Sequence, residues 1–376
     1  MRPAADSGKA MRAWVVHRPA IQAPPVLHWQ DDVAVPEPGP GEVLLKISAC
    51  GVCHTDLHIT EGELALPRET VIPGHQVIGH VEVLGAPEQE IAFVPVPQGV
   101  DRRLAARLIA GSGGGDERGL RVKRGARVGM PWLYRSCGSC QYCTTGRENL
   151  CEHPQFTGFY RDGGYAEYMV APVDFLVPIP ERFRDEEAAP LLCAGIIGYR
   201  SLRLAGVNPD RPLRLGLFGF GASAHLALQL ARHWGTAIYV FTRSPEHRRL
   251  ALDLGASWAG ATGDDPPVRL DAAITFAPAG AVIPAALRAL APGGVLAVNA
   301  VHLDGIPAFP YDLLYGERVL RSVANATRQD AWEWMYWADV AGIKPHVEIF
   351  TLPELPGVLA RLKKGEIQGS AVIKLP

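Results

Sequence analysis

Two cysteines and one histidine have the residue types and order of an open metal site. Cys53 begins the run Cys-His-Thr-Asp-Leu-His, His75 follows a glycine, and Cys193 stands alone further along the chain. Two thiolates and one imidazole fill three corners of a zinc tetrahedron and leave the fourth for water or substrate, as in catalytic zinc sites. Zinc in such a site is a Lewis acid that lowers the pKa of a bound water to about 7. The sequence therefore predicts zinc chemistry on an oxygen-containing substrate.

Three polar residues close to Cys53 complete the chemistry expected of this site. Asp56 is placed to hold the second ring nitrogen of His75, because carboxylates commonly orient metal-bound histidines in this way. Thr55 and His58 are expected to pass a proton from a buried substrate oxygen to solvent. The predicted catalytic residues are therefore Thr55, Asp56 and His58.

Four further cysteines form a second, closed metal site. They follow the spacing Cys-x2-Cys-x2-Cys-x7-Cys and are Cys137, Cys140, Cys143 and Cys151. Four thiolates saturate one tetrahedral zinc, so this metal would stabilise a loop and do no chemistry. An iron–sulfur cluster also fits the ligand type, and a nucleic-acid-binding zinc ribbon is disfavoured by the spacing and by flanks that are not basic. The remaining cysteine, Cys50, is expected to be a small buried hydrophobe.

A dinucleotide-binding turn follows a short apolar strand in the second half of the chain. The strand is expected over 215–218, and Gly-x-Gly-x-x-Ala, a helix to Trp234 and a strand over 238–241 come next. Elements in this order are typical of a Rossmann fold, in which the first glycine allows the tight turn and the second admits the pyrophosphate. The helix N-terminus adds partial positive charge for the phosphates. The coenzyme-binding residues predicted at this turn are Gly219, Gly221, Ala222 and Ala224.

The end of the second strand bears on the choice between NAD and NADP. An acidic residue there would bind the ribose 2′-hydroxyl of NAD, but the run is Phe-Thr-Arg-Ser. Arg243 is placed to pair with the 2′-phosphate of NADP, with Thr242 and His247 assisting. The alternative is that Arg243 faces solvent in an NAD site of relaxed selectivity. We favour NADP(H) or the use of both coenzymes.

The run Cys-His-Thr-Asp-Leu-His, followed by Pro-Gly-His, resembles the zinc-dependent medium-chain alcohol dehydrogenase family over nearly the whole chain. The resemblance implies that Cys53, His75 and Cys193 bind catalytic zinc and that the four clustered cysteines bind structural zinc, giving two zinc ions per chain. One departure is that the family usually has glutamate after the zinc histidine, where this chain has Gln76. Glutamine is uncharged and a poorer metal ligand, so ligand exchange at this position is an open question.

The same resemblance assigns the rest of the site. It implies that Thr55 and His58 form the proton relay and that His54 contacts the pyrophosphate. Trp132 stands where the family places an aromatic wall of the substrate pocket, although a core tryptophan is the alternative. Leu64 stands where some relatives for small alcohols carry tryptophan, which would leave room for larger substrates. By position, the residues expected beside the nicotinamide are Phe276, Asn299 and Val301.

The resemblance also implies an α/β fold with a GroES-like β-rich catalytic domain and a Rossmann coenzyme domain built on a doubly wound parallel sheet. We assign residues 1–193 to the first domain, 194–320 to the second and 321–376 to a return to the first. The structural-zinc lobe covers 137–151, and an insertion covers about 86–120. The insertion, which includes a predicted helix over 100–110, is either a surface loop or a lid or subunit contact.

Two helices are predicted outside these motifs. One covers 185–205 and contains Cys193. The other covers 330–341 and carries Trp332, Trp334 and Trp337, which are expected to pack against a neighbouring element or subunit. An aromatic binding platform is the alternative.

The composition limits the partners. The 376 residues carry a formal net charge of −2, which gives no electrostatic basis for binding nucleic acid or an anionic membrane. The longest apolar run is far shorter than the roughly 20 residues that a membrane helix needs. Residues 1–10 are expected to be a disordered leader without a signal peptide. We therefore expect a cytoplasmic protein, a homodimer or homotetramer, whose partner is a small alcohol, aldehyde or ketone.

The predicted function is reversible hydride transfer between primary or secondary alcohols, or the matching aldehydes and ketones, and NAD(P). The nearest alternative is a polyol or formaldehyde-type dehydrogenase of the same superfamily, which substrate profiling would distinguish. Two further alternatives on the same fold are a zinc-free reductase of alkenes or quinones and a catalytically silent binding protein. Gln76 is the best support for the silent protein. Bound zinc near two ions per chain would exclude the zinc-free reductase.

Overall fold

The computed structural model describes residues 9–18, 26–85, 91–301 and 303–376. Residues 1–8 of the expected leader and residues 86–90 of the expected insertion lie outside the described residues. Within the described ranges, no helix is both long enough and apolar enough to cross a membrane.

The strands of the described chain are short, and most lie in the first half. They are β1 (Ala10–His17), β2 (Val26–Ala34), β3 (Glu42–Val52), β4 (Thr70–Val71), β5 (Val77–Leu84), β6 (Ala92–Val94), β7 (Gly115–Asp116), β8 (Gly119–Val122), β9 (Arg127–Met130), β10 (Leu133–Arg135), β11 (Gln155–Phe156), β12 (Tyr168–Pro172), β13 (Val177–Pro178), β14 (Arg214–Phe218), β15 (Ala237–Phe241), β16 (Trp258–Gly260), β17 (Leu270–Thr275), β18 (Leu290–Val298), β19 (Val319–Ser322), β20 (Val347–Thr351) and β21 (Ser370–Lys374).

The α-helices are concentrated in the second half. They are α1 (His54–Glu61), α2 (Arg102–Ala110), α3 (Asp185–Ala188), α4 (Ala194–Leu204), α5 (Ala222–His233), α6 (Pro245–Asp253), α7 (Val282–Ala289), α8 (Arg328–Val340) and α9 (Leu355–Lys363). Turns of 3₁₀ helix cover Cys143–Thr145, Glu148–Leu150, Val173–Phe175, Ala189–Leu192, Tyr311–Leu313 and Leu352–Glu354.

The chain forms two compact units. The first comprises Met1–Cys193, Thr327–Tyr336 and His346–Pro376, and the second comprises Ala194–Ala326 and Trp337–Pro345. Residues 321–326 and Trp337–Pro345 therefore group with the second unit, although the sequence analysis assigned all of 321–376 to the first.

The first unit is built on a seven-stranded sheet. Its order is β13-β9-β5-β3-β21-β20, with β12 also pairing with β3, and every pair except β20–β21 is antiparallel. Strand β3 is central, and its apolar residues are buried. Helix α1 begins directly after β3, so this central strand determines the position of Cys53.

The second unit contains a six-stranded parallel sheet of order β16-β15-β14-β17-β18-β19. The chain runs outward from β14 to β16 and then returns to the other side of β14 to form β17, β18 and β19. The doubly wound prediction is confirmed by this order. Ligands of such sheets bind at the carboxyl ends of the strands where the order reverses, which here is the β14–β17 pair.

The predicted continuous helix over 185–205 is wrong. Helix α3 gives way to a 3₁₀ turn, Cys193 has non-helical dihedrals (φ −129°, ψ −69°), and α4 starts at the next residue. Pro190 lies in the turn and has no backbone N–H to donate, which weakens a continuous helix here. The break means that Cys193 lies between two helical segments.

The described part of the insertion is folded. Strands β6, β8 and β7 form a separate three-stranded sheet, and α2 begins at Asp101, whose side chain accepts hydrogen bonds from the backbone N–H groups of Arg103 and Leu104. The insertion is thus an ordered element of the first unit with its own buried apolar residues, among them Leu108 and Leu120.

The tryptophans of α8 are packing residues. Trp332 and Trp334 are fully buried, and Trp337 has its ring centroid 5.4 Å from that of Trp234. Burial of the first two leaves no aromatic platform on this helix for a ligand.

Candidate active site

The first predicted metal-ligand set is assembled in the first unit. The ligand atoms of Cys53, His75 and Cys193 all lie within 4.8 Å of one another, and Cys53 Sγ is 3.3 Å from Nε2 of His75. Among the described residues, no fourth cysteine, histidine or carboxylate joins this group. Two sulfurs and one ring nitrogen at these distances fit a zinc ion that keeps one open corner.

The electrostatics of the three predicted ligands favour a cation. The hydrogen bond from the Cys193 thiol lowers the pKa of Cys53 well below its usual value, and that same bond and burial raise the pKa of Cys193. Burial opposes protonation of His75, but the negative charges of Asp56 and Cys53 raise its pKa to about 10. Protons on these side chains therefore balance the negative charge of the site, and a divalent cation can replace those protons.

Asp56 connects the ligands. It is completely buried, and its Oδ1 accepts hydrogen bonds from Nδ1 of His75 and the backbone N–H of Gly74, both at 3.2 Å. Its Oδ2 accepts the backbone N–H of Cys53 at 3.0 Å. Cys53 is also the N-cap of α1, and its sulfur accepts the backbone N–H of Thr55 at 3.4 Å. One carboxylate thereby sets the orientation of the imidazole and the start of the helix.

The remaining polar residues of the motif lie on α1. Thr55 is buried, His54 is exposed as the first helical residue, and His58 is one turn further on, with 17% of its side chain exposed. Residues three apart on a helix share a face, so Thr55 and His58 lie along one line from the interior towards solvent. Nδ1 of His58 is also within hydrogen-bond distance of Oε2 of Glu63, a contact that the sequence analysis did not identify.

An apolar wall lies beside His75. The ring of Trp132 meets that of His75 edge to face at 4.9 Å and stacks on Phe156 at 4.8 Å. Leu64, Trp132 and Phe159 all pack against one small buried cluster. The structure therefore brings the two predicted pocket residues, Trp132 and Leu64, to the same apolar surface. Sequence reasoning missed Phe156 and Phe159, whose signal was the run of aromatic residues after the cysteine lobe.

Gln76 is buried and packs against the central strand. Only 2% of it is exposed, and its backbone carbonyl accepts the N–H of Gly51 at 3.0 Å. A Cβ on Gly51 would lie 2.9 Å from the amide carbon of Gln76, so glycine at this position is what admits the side chain. The residue that replaces the usual glutamate is thus a neutral, tightly packed neighbour of His75.

The second cysteine set is also assembled. The sulfurs of Cys137, Cys140, Cys143 and Cys151 lie within 4.8 Å of one another. The backbone N–H groups of Ser139 and Cys140 lower the pKa of Cys137 to about 6, which favours the thiolate that binds metal. Four donors close a tetrahedron, so this site fits a structural zinc.

The dinucleotide turn lies at the carboxyl end of β14. Gly219 has a φ of 91°, and a Cβ there would be 2.8 Å from the backbone nitrogen of Ala277. Gly221 is the N-cap of α5, and a Cβ there would meet nothing within 4 Å. Ala224 is fully buried. Gly219 is therefore required by the turn itself, whereas the space beside Gly221 is open to a ligand at the N-terminus of a helix that Ala222 begins.

The other predicted coenzyme residues lie at the same edge of the sheet. Thr242, which follows β15, is buried, and Arg243 is exposed. His247 is half-buried, and its backbone N–H donates to Oγ of Ser244 at 3.1 Å. After β17 and β18 come Phe276 and Asn299, and Val301 is 67% exposed.

Sequence reasoning missed two residues at this edge. The Arg248 guanidinium donates to the carbonyl of Thr242 at 3.3 Å, and Glu246 accepts a hydrogen bond from Ser244 at 2.7 Å. Both follow from the first turn of α6, which Ser244 caps.

Comparison with known proteins gives two family matches. The family described as "Alcohol dehydrogenase GroES-like domain" matches residues 39–94 and 109–181, and the family described as "Zinc-binding dehydrogenase" matches residues 224–339. The unmatched residues between 94 and 109 include most of α2, so this helix is the part of the insertion that departs from the family pattern.

The chain is similar over its length to several dehydrogenases. It is 43% identical to the probable alcohol dehydrogenase AdhA of Mycobacterium tuberculosis, over 96% of this chain and 97% of that protein. Among solved structures, a cinnamyl alcohol dehydrogenase of Sorghum bicolor is 26% identical, with a TM-score of 0.79 and coverage of 97% of this chain and 98% of the other. The acetophenone reductase of Geotrichum candidum, solved in complex with NAD, is 25% identical, with a TM-score of 0.77 and 97% coverage of both chains.

Proposed function

Because this chain belongs to the zinc-dependent medium-chain alcohol dehydrogenase family, we propose that Cys53, His75 and Cys193 hold the catalytic zinc of an NAD(P)-dependent alcohol dehydrogenase. The protein is an oxidoreductase that acts on small alcohols and on the matching aldehydes and ketones. The observation that supports the ligand assignment is the approach of these three side chains to within 4.8 Å with no fourth donor among the described residues.

Different residues of the chain orient the metal ligand, transfer the proton and exclude water around the reacting oxygen. When bound, zinc supplies Lewis acidity and the nicotinamide exchanges the hydride. Asp56 holds Nδ1 of His75 and so keeps Nε2 directed at Cys53. The hydroxyl of Thr55 takes the substrate proton, and His58 moves it towards solvent. Trp132 and Leu64 cover the apolar side of the substrate and exclude water.

The test combines metal content with turnover. We expect about two zinc ions per chain, one in the open three-residue set and one in the closed four-cysteine set. We also expect the absorbance of the nicotinamide coenzyme to change when the enzyme is assayed with a panel of alcohols. Cys53→Ser and His75→Ala should abolish turnover, whereas Cys50→Ser, which removes a buried thiol outside both donor sets, should retain it. Turnover without zinc would favour the zinc-free reductase, and zinc without turnover would favour the silent binding protein.

For the substrate we propose alcohols larger than ethanol, including those with an aromatic ring. Leu64 is smaller than tryptophan, and Trp132 with Phe156 offers an aromatic surface beside His75. Two structural relatives are named for aromatic substrates. Leu64→Trp should lower kcat/KM for such alcohols by about tenfold or more and spare short ones; an equal effect on all chain lengths would contradict the proposal.

For the coenzyme we propose NADP(H) or use of both forms, with Arg243 at the 2′-phosphate. Its exposed guanidinium lies just past β15, where an NAD site would carry a carboxylate. Arg243→Ala should raise KM for NADPH about tenfold and leave KM for NADH nearly unchanged. Equal changes for both coenzymes would instead support a solvent-facing Arg243.

For the assembly we propose a homodimer joined at β19, in a cytoplasmic setting that keeps the seven cysteines reduced. Among the described strands β19 pairs only with β18. Val319 on this strand is exposed, as are Tyr311 and Tyr315 in the segment that precedes it. A second copy would continue the sheet and cover this edge. Val319→Pro should give a monomer in light scattering, while a tetramer would indicate a further contact.

A further inference from the structure

A carboxylate outside the predicted site residues contacts the end of the proposed proton relay. Oε2 of Glu63 accepts a hydrogen bond from Nδ1 of His58. The His58 side chain is 17% exposed and that of Glu63 is 44% exposed, so the pair spans the boundary between the protein and solvent.

The turn after α1 creates this contact. Gly62 ends the helix with a left-handed φ of 80°, and its N–H donates to the carbonyl of Ile59 at 3.3 Å. The N–H of Leu64 then donates to the carbonyl of His58 at 3.2 Å. Glycine adopts this conformation without the strain that other residues meet. The chain therefore folds back over its last helical turn and places Glu63 against His58.

Two carboxylates at this end of α1 act on Lys363 of α9: the hydrogen bond and charge of Glu61, followed by the charge of Glu63, raise the pKa of Lys363. Glu61 forms an ion pair of 2.6 Å with this lysine. The hydrogen bond of Glu63 itself is to His58.

An ionised carboxylate only accepts hydrogen bonds, so the contact places the proton of neutral His58 on Nδ1 and leaves Nε2 as the acceptor. We propose, on the basis of the relay assigned above, that Glu63 is a positioning residue for proton release. When Nε2 takes a proton from the relay, the N–H bond at Nδ1 breaks, an O–H bond forms on Glu63, and the exposed carboxyl group passes that proton to water. Exchange with water then returns the ring to its starting tautomer.

The test uses two substitutions that remove the same charge from neighbouring positions of the zinc-loaded enzyme. Glu63→Gln keeps the size of the side chain but can no longer take the proton. Glu61→Gln removes the carboxylate that Lys363 binds directly and leaves the contact between Glu63 and His58 in place. In Glu63→Gln we expect kcat for alcohol oxidation at low buffer to fall about tenfold, with little change in KM for the alcohol. Imidazole in solution should restore the rate, Glu63→Asp should retain part of it, and Glu61→Gln should match the wild type.

A spectroscopic measurement tests the same inference independently of turnover. Nitrogen NMR of the ¹⁵N-histidine-labelled holoenzyme should show a protonated Nδ1 and an unprotonated Nε2 for His58. The amide of Glu63→Gln satisfies either tautomer, so the preference should be lost.

Three outcomes would overturn the inference: an unchanged kcat in Glu63→Gln, a loss that imidazole does not reverse, or an equal loss in Glu61→Gln. If the wild type oxidises alcohols and Glu63→Gln does so equally well, only this inference fails. If the wild type oxidises no alcohol, the proposed function fails with it.

Discussion

Asp56 and His75 form a fully buried pair in which Oδ1 of Asp56 lies 3.2 Å from Nδ1 of His75. The same carboxylate accepts the backbone N–H groups of Cys53 and Gly74. One side chain therefore positions both a sulfur and a ring nitrogen of the proposed zinc site, from two different segments of the chain.

Asp56→Asn should weaken zinc binding at the catalytic site. The neutral amide accepts fewer hydrogen bonds from the three N–H donors, and it removes the negative charge that lies beside His75. Loss of such a partner typically lowers metal affinity about 10–100-fold. Competition with a chromogenic chelator measures this affinity. Asp162→Asn is the matched control, because Asp162 accepts the backbone N–H of Ile72 at 3.1 Å but lies in neither donor set. Equal zinc affinity in both variants would contradict the role given to Asp56.

The two donor sets should respond differently to loss of one sulfur. Cys143→Ser opens the closed set, and because binding of structural zinc is coupled to folding, we expect a lower thermal midpoint and one zinc ion fewer per chain. Cys193→Ser should also lose one zinc but unfold nearly as the wild type does, with no turnover. Thermal denaturation, metal analysis and assay on both variants provide the comparison. A stable, fully active Cys143→Ser would show that the lobe needs no metal.

The two glycines of the dinucleotide turn should separate stability from coenzyme binding. Gly219→Ala places a residue with a Cβ at a left-handed backbone position, and that Cβ would clash with the backbone of Ala277. The substitution should destabilise the fold by about 1–3 kcal/mol. Gly221→Ala meets no protein atom within 4 Å, so its thermal midpoint should be unchanged. Its Cβ would instead occupy space that the pyrophosphate needs, and KM for NAD(P) should rise about tenfold. Unchanged coenzyme KM in Gly221→Ala would contradict this location for the pyrophosphate.

Spacing of ligand types predicted the parts of the structure in which chemistry dictates residue identity. Three patterns could be recognised in the sequence because each requires particular atoms at particular separations. They are the clustered cysteines, the Cys53 motif and the Gly219–Gly221 turn. The strands predicted over 215–218 and 238–241 also lie within β14 and β15, because their apolar runs are clear in the sequence.

Features that depend on tertiary contact were not visible in this way. The apolar pattern around Cys193 is the same for a continuous helix and for the broken one that directs its sulfur to Cys53. The contact of Glu63 with His58 depends on the left-handed turn at Gly62, and periodicity does not encode the direction in which the chain leaves that turn. The approach of Trp132 to His75 joins segments that only the folded sheet brings together.

His80 should make the stability of the first unit depend on pH. Its Nε2 lies 3.4 Å from Oδ2 of Asp185, and this contact connects β5 to α3. The hydrogen bond to Asp185 raises the pKa of His80 above its usual value. A raised folded-state pKa means that the stabilisation is fully present below the unfolded value of about 6.5 and is lost as pH rises through the folded value.

His80→Asn should therefore lower the thermal midpoint more at pH 6 than at pH 8.5. Because 44% of the His80 side chain is exposed, solvent screening limits the difference to about 1 kcal/mol or less. The control is the same substitution in an Asp185→Asn background, where the partner charge is absent and the pH dependence of the effect should vanish. Arg127 also pairs with Asp185, at 2.6 Å, so Asp185→Asn alone should destabilise the protein at both pH values. A His80→Asn effect of equal size at pH 6 and pH 8.5 would mean that the imidazole acts through packing and carries no charge in the pair.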